Sequence, residues 1–172
     1  GFAGVGARSA SKLDLPRLDI GDWKLVFVGG KGWLYEELFA QVKSLGLAER
    51  VRFAGFAPDD DVPLWYSAAT ALVYPSTYEG FGLPQLEAMA CGTPVIASNA
   101  SSLPEAVGDA ALTVEPEDVA GLAQAMQRVS DDPALRSELS QRGIEQARRF
   151  TWQATARATV ESYRKALSGG LS

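Results

Sequence analysis

From Lys24 onward, short apolar runs alternate with longer stretches in which apolar residues recur every three or four positions. Residues 24–28 (KLVFV) form a continuous apolar run closed by Gly29 and Gly30, the pattern of a strand buried on both faces. In residues 34–45, Leu34, Leu38, Val42 and Leu45 stand at helical spacing, and Gly46 supplies a stop. Residues 51–54 read as a short strand ending at Gly55, residues 63–69 as a short helix opened by Pro63, and residues 70–74 (TALVY) as a strand broken by Pro75. The pattern then predicts a helix over 83–90, a strand over 94–97 (PVIA), a short helix over 103–107 and a last strand over 112–114. Helices follow over 119–129, 133–150 and 151–167, the last behind a Thr151 cap. Parallel neighbours need crossover connections, so this alternation predicts an α/β fold: a doubly wound, Rossmann-like parallel sheet with helices on both faces. Such sheets bind ligands beyond the carboxyl ends of their strands, which directs the search to 29–33, 55–58, 75–83, 98–103 and 115–118.

Composition narrows the chemistry. The chain has 172 residues, enough for one full core, and not one of them is histidine. His-ligated zinc, a Ser-His-Asp triad, a Cys-His pair and an imidazole base are thereby excluded from within it. Its single cysteine, Cys91, can form no internal disulfide and favours a reducing, cytoplasmic setting. A net charge of -5, with no basic cluster beyond Arg148 and Arg149, argues against a nucleic-acid partner. No run approaches the ~20 apolar residues needed to cross a bilayer, and residues 1–8 lack the order of a signal peptide. The expected division is an irregular or abbreviated first β-α unit over 1–23, one ligand-binding domain over 24–167, and a frayed tail over 168–172.

The stretch from Pro75 to Ile96 carries the most chemistry. A buried strand ends at Pro75, a glycine-bearing loop follows, and a helix opens with Pro84 near its first position. The backbone N–H groups of Gly80, Phe81, Gly82 and Leu83, with the positive end of the helix dipole, would make an anion site that needs no lysine. Gly80 and Gly82 would let the backbone approach a phosphate or sugar closely. Glu79 and Glu87, with seven residues between them, flank that site. Two readings stay open for them. Carboxylates accept from vicinal hydroxyls, so a pair around a phosphate-binding helix start suits a nucleotide sugar, one acid for the ribose and one for the hexose. Alternatively, Glu87 merely stabilises the first turn of its helix and Glu79 is a solvated loop acid.

Other motifs fail on inspection. Gly30-Lys31-Gly32-Trp33-Leu34-Tyr35 has Tyr where a dinucleotide-binding G-x-G-x-x-G needs its third glycine, and no Gly-Lys-Ser/Thr loop occurs. Trp23, Trp33, Trp65 and Trp152 are scattered at element ends and are expected to pack, and Cys91 is read as a small core residue. Asp59, Asp60 and Asp61 are consecutive and cannot all face one ion, so they read as a capped, solvated turn.

The run EGFGLPQLEAMACGTPVIAS over 79–98 resembles the E-x7-E signature of the retaining glycosyltransferases of GT-B architecture, a large family that includes sucrose synthase, glycogen synthases and bacterial mannosyltransferases. Gly29-Gly30-Lys31-Gly32-Trp33 after a strand, Val51-Arg52-Phe53-Ala54-Gly55-Phe56, Ser101-Ser102-Leu103-Pro104-Glu105 and Phe150-Thr151-Trp152 extend the resemblance over 24–167. It implies that Glu87 binds the ribose diol of the donor and that Glu79, the catalytic candidate, holds hydroxyls of the transferred sugar. The amides of Gly80, Phe81, Gly82 and Leu83 would contact sugar and diphosphate, and Gly55, Phe56 and Ala57 would seat the nucleobase. Gly29, Gly30 and Lys31 would lie near the donor, with Lys31 either aiding the diphosphate or standing as a solvated loop lysine. Ser76 and Thr77 are read as turn and packing residues, and Ser101 and Glu105 as helix caps.

The implied reaction is hexosyl transfer from a UDP- or GDP-sugar with retention at the anomeric carbon, mannose and glucose being the commonest sugars. It needs no cofactor and no metal. The acceptor, and any peripheral membrane contact, would belong to an N-terminal domain absent here. Residues 1–23 depart from the family pattern: they show no helix before the strand at Lys24 and no basic pair, Arg8 and Lys12 being a degraded counterpart. The competing readings are a non-catalytic nucleotide-sugar-binding module or inactive fragment, and a nucleotide-sugar epimerase of the same architecture.

Overall fold

In the computed structural model, which describes residues 22–30 and 35–168, every element expected over those residues forms. β1 (Leu25–Val28), α1 (Tyr35–Ser44), β2 (Val51–Gly55) and α2 (Val62–Ala68) come first. β3 (Leu72–Tyr74), α3 (Leu83–Ala90), β4 (Val95–Ser98), α4 (Leu103–Val107) and β5 (Ala111–Val114) follow. Three helices, α5 (Val119–Asp131), α6 (Pro133–Ala147) and α7 (Trp152–Ser168), complete the order. The largest shift of a boundary is at α6, which gives way after Ala147 to a turn closed by Phe150 N–H donating to the Ala147 carbonyl at 3.0 Å. Thr151 caps α7 as expected, its Oγ1 accepting from Ala154 N–H at 3.1 Å.

All strand pairs are parallel. Among the described residues they form a pair, β1–β2, and a triplet, β3–β4–β5. In a 3-2-1-4-5-6 order the first strand lies between the second and the fourth. The expectations about that first unit, including Arg8 and Lys12, fall on residues 1–21 and lie outside the described residues, as do Lys31, Trp33 and the tail over 169–172.

Burial corrects one reading. β1 was expected to be covered on both faces, yet its side chains run from 36% exposed at Phe27 to 44% at Val28. An apolar run reports what a strand needs, whereas burial depends on its neighbours, and β1 pairs with β2 alone among the described residues. β4 is the fully covered strand: it has partners on both sides and all four of its residues are buried. Its side chains alternate as a strand's must. Val95 and Ala97 join Leu86, Ala88 and Met89 of α3 with Ala106 and Val107 of α4, while Ile96 joins Ala125 and Val129 of α5 with Leu139 of α6.

Two further expectations change. Trp152 does not pack: it is 80% exposed at the start of α7, a helix with no buried residue. Cys91 is half-buried as the C-cap of α3 rather than a core residue. No helix among the described residues is long and apolar enough to cross a membrane.

Met89 is fully buried between α3 and its neighbours, so Met89→Ala should cost about 2–5 kcal/mol of unfolding free energy in urea titrations. Val26→Ala, at an exposed strand, should cost well under half of that. Equal losses would contradict a core centred on α3 and β4.

Candidate functional site

The buried triplet delivers the end of β3 to the start of α3, and the turn between them is built around glycine. Gly82 is the N-cap of α3 with φ 95°, and Pro84 stands in the first turn. A Cβ at Gly82 would collide with the Gln85 side chain and come within 2.8 Å of Leu103 Cδ2, so both conformation and space require glycine there. Gly80 differs: a Cβ on it would meet nothing within 4 Å. The fold itself has no need of a glycine at 80. The amides of Gly80, Phe81, Gly82 and Leu83 donate no hydrogen bond among the described residues, leaving a row of donors at the positive end of α3. The Phe81 ring, in contrast, turns into the protein and meets Phe150 edge-on, with centroids 5.5 Å apart at 68°.

Glu79 is a half-buried, tethered residue. Its Oε1 accepts from Tyr74 Oη at 2.9 Å and from Ser76 Oγ at 2.9 Å. Its backbone carbonyl accepts from Ser101 Oγ at 2.7 Å and Ser102 Oγ at 3.0 Å. This is not the geometry of a solvated loop acid. It also corrects two roles: Ser76 reaches a carboxylate as well as the turn carbonyl of Tyr78, and Ser101 caps nothing. The N-cap of α4 is Ser102, without a side-chain cap bond, and Ser101 is held at φ 54°, unusual outside glycine.

Glu87 lies in the second turn of α3, whose first turn holds no acid, so it does not serve the helix start. Its Oε2 accepts from Tyr66 Oη at 3.2 Å across the packed α2–α3 interface. Tyr66 is itself fixed: its ring packs on the core and its carbonyl accepts from Thr93 Oγ1 at 2.7 Å. Burial and the neighbouring Glu87 carboxylate push the Tyr66 phenol far above its ordinary range. Burial, and then the bond to Glu79, push Tyr74 up to about 12. Both phenols therefore remain donors at any physiological pH.

The other predicted residues gather at the ends of β1 and β2. Gly29 N–H donates to the Gly55 carbonyl at 2.8 Å, and both glycines sit at positive φ. Gly30 is exposed, the Phe56 side chain is 77% exposed and Ala57 is half-buried. The chain then enters α2, the helix that carries Tyr66. The Asp59-Asp60-Asp61 turn is exposed, although Asp61 precedes α2 without a side-chain cap bond.

The sequence matches the family described as Glycosyl transferases group 1 over residues 11–149. The chain belongs to that family. This group 1 glycosyltransferase domain is 41% identical over 142 residues to the O-antigen chain mannosyltransferase B of Escherichia coli, covering 83% of this chain and 37% of that protein. It resembles the C-terminal domain of a glycosyl transferase group 1 protein from Francisella tularensis, with a TM-score of 0.67, 34% identity, and coverage of 73% of this chain and 68% of that one. It also resembles an Anabaena protein, HepE, solved in complex with UDP-glucose, with a TM-score of 0.74, 27% identity, and coverage of 83% of this chain and 41% of that one. The domain spans about a third of the length of the curated relatives it matches. Its parallel α/β architecture is that of the C-terminal half of GT-B.

Tyr66 and Tyr74 are the residues of this glycosyltransferase domain that sequence reasoning missed. Tyr74 had a signal, as the last residue of a strand whose carboxyl end points at the site. Tyr66, 21 positions from its partner, had none. Gln85 was missed too: it is fully buried beneath the turn, and neither of its side-chain polar atoms has a partner among the described residues, the kind of tolerated cost found beside functional sites.

The raised Tyr74 pKa has a measurable sign. The unfolded phenol titrates near 10 and the folded one near 12, so the stability tied to protonated Tyr74 is fully present below about pH 10 and is lost as pH rises through about 12. Tyr74→Phe should remove a late component from the phenolate absorbance titration and make the loss of stability over this interval shallower. Loss of a component near 10 instead would contradict the buried, Glu79-bonded Tyr74 phenol.

Proposed function

We propose that this domain binds a nucleoside diphosphate sugar beyond the carboxyl ends of its strands and, in the full-length protein, transfers the hexosyl group to an acceptor with retention. The observation that carries this reading is the arrangement at α3: two acids, each hydrogen-bonded by a tyrosine, flanking along the chain four backbone amides that have no partner among the described residues. Glu87 takes the ribose diol. Glu79 takes hydroxyls of the hexose, which places it at the reacting sugar. The amides of Gly80, Phe81, Gly82 and Leu83 receive the diphosphate, where fixed dipoles stabilise the charge that develops as it leaves. Gly55, Phe56 and Ala57 seat the base, and Gly29, Gly30 and Lys31 border the donor, with Lys31 beside the diphosphate.

No side chain of the site acts as a nucleophile in this account. The acceptor attacks from the face that the phosphate leaves, and the departing phosphate takes its proton. UDP or GDP is the nucleotide, and glucose or mannose the sugar: the UDP-glucose complex of the Anabaena protein supports the first pairing and the mannosyltransferase relative the second. That relative's name also supports a role in building cell-surface polysaccharide. The acceptor, and any contact with a membrane surface, are assigned to an N-terminal domain, since the relatives extend well beyond the matched region. Alone, this chain binds donor and turns nothing over. Because amides rather than a metal meet the diphosphate, no cofactor is required.

Calorimetry with UDP, GDP, UDP-glucose and GDP-mannose tests the reading. One nucleotide series should bind, Glu87→Ala should weaken it by roughly 10- to 100-fold, and Asp60→Ala should leave it unchanged. EDTA should not alter the affinity. A folded sample that binds none of the four would overturn the proposal.

A further inference from the structure

The two acids are not presented as free carboxylates. A carboxylate has about four acceptor positions, and in Glu79 those of Oε1 are taken by two hydroxyls, Tyr74 Oη and Ser76 Oγ, each at 2.9 Å. No hydrogen bond reaches its Oε2 among the described residues. Glu87 shows the same division: Oε2 accepts from Tyr66 Oη at 3.2 Å, and no hydrogen bond reaches Oε1 among the described residues. The anchoring groups come from rigid parts of the fold. Tyr74 ends β3, Ser76 accepts at its carbonyl from Ser98 Oγ of the buried strand β4, and Tyr66 packs on the core.

We propose that Tyr74 and Ser76 are positioning residues for Glu79, and Tyr66 for Glu87, each anchoring one carboxylate oxygen so that the other alone meets the donor. Left unanchored, a glutamate side chain must give up its rotameric freedom when ligand binds, which weakens the contact it makes. With three hydroxyl anchors in place, that ordering is completed on folding. The division also separates the two ends of the ligand: Tyr66 tunes the hold on the nucleotide, and Tyr74 with Ser76 tunes the hold on the sugar. This inference rests on the donor reading above and goes beyond it in assigning roles to three residues that touch no ligand.

The test compares, for whichever base binds, the affinity for the nucleoside diphosphate with that for its sugar conjugate. Tyr66→Phe keeps the ring and should weaken both ligands alike, about fivefold. Tyr74→Phe and Ser76→Ala should each leave the nucleoside diphosphate unchanged and weaken the nucleotide sugar about fivefold. In a Glu79→Ala background, which removes the anchored acceptor, Tyr74→Phe should add nothing further. A merely structural role would move thermal stability and both ligands together. If the unaltered chain discriminates sugar from bare nucleotide while Tyr74→Phe and Ser76→Ala bind both as it does, the positioning roles fall and the donor reading stands. If the unaltered chain binds no nucleotide, both fall.

Discussion

Glu79 is held at both ends by hydroxyl groups. Tyr74 and Ser76 grip its carboxylate, and Ser101 and Ser102 grip its carbonyl. Each bond is worth only about 1 kcal/mol net, but together they join three pieces of chain that the sheet brings to one edge: the end of β3, the glycine turn and the approach to α4. The turn that leads into α3 therefore has little freedom. Its remaining degrees of freedom are absorbed by Gly82, where only glycine fits, and by Phe81, whose ring docks on Phe150.

That clamp works because a stiff layer stands behind it. β4 is covered on both faces and both edges, and α3 is fastened to it through Leu86, Ala88 and Met89. Close packing of this kind transmits position without compliance. The amides of the glycine turn, the two acids and their tyrosines are thus referenced to the most buried part of the domain, as the proposed hold on a charged ligand in one pose would require. The pair β1–β2 is less enclosed, and its carboxyl ends are tied together through backbone, Gly29 N–H to the Gly55 carbonyl.

Much of this was legible in the residues themselves. Periodicity and punctuation located every element over the described stretches, since apolar spacing and the Gly and Pro stops are local signals. The acids at 79 and 87 were legible because a glycine-bearing turn before a helix is a local anion-binding pattern, and the family resemblance ranked them above neighbouring acids. The anchors were not. Tyr66 meets Glu87 across 21 positions, and Ser101 meets Glu79 across 22, contacts that exist only after the sheet has stacked its crossovers. Burial failed for the same reason at β1 and Trp152: hydrophobicity states what a residue favours, and only the assembled neighbours decide what it receives.

The central claim is that the two acids grasp opposite ends of one ligand, with the amides of α3 between them. A crystal structure of the domain with its nucleotide sugar tests this most directly. The account predicts ribose hydroxyls within hydrogen-bond distance of Glu87 Oε1, a hexose hydroxyl within that distance of Glu79 Oε2, and diphosphate oxygens on the amides from Gly80 to Leu83. A nucleotide bound away from α3, or one that leaves both acids without a ligand hydroxyl, would contradict it.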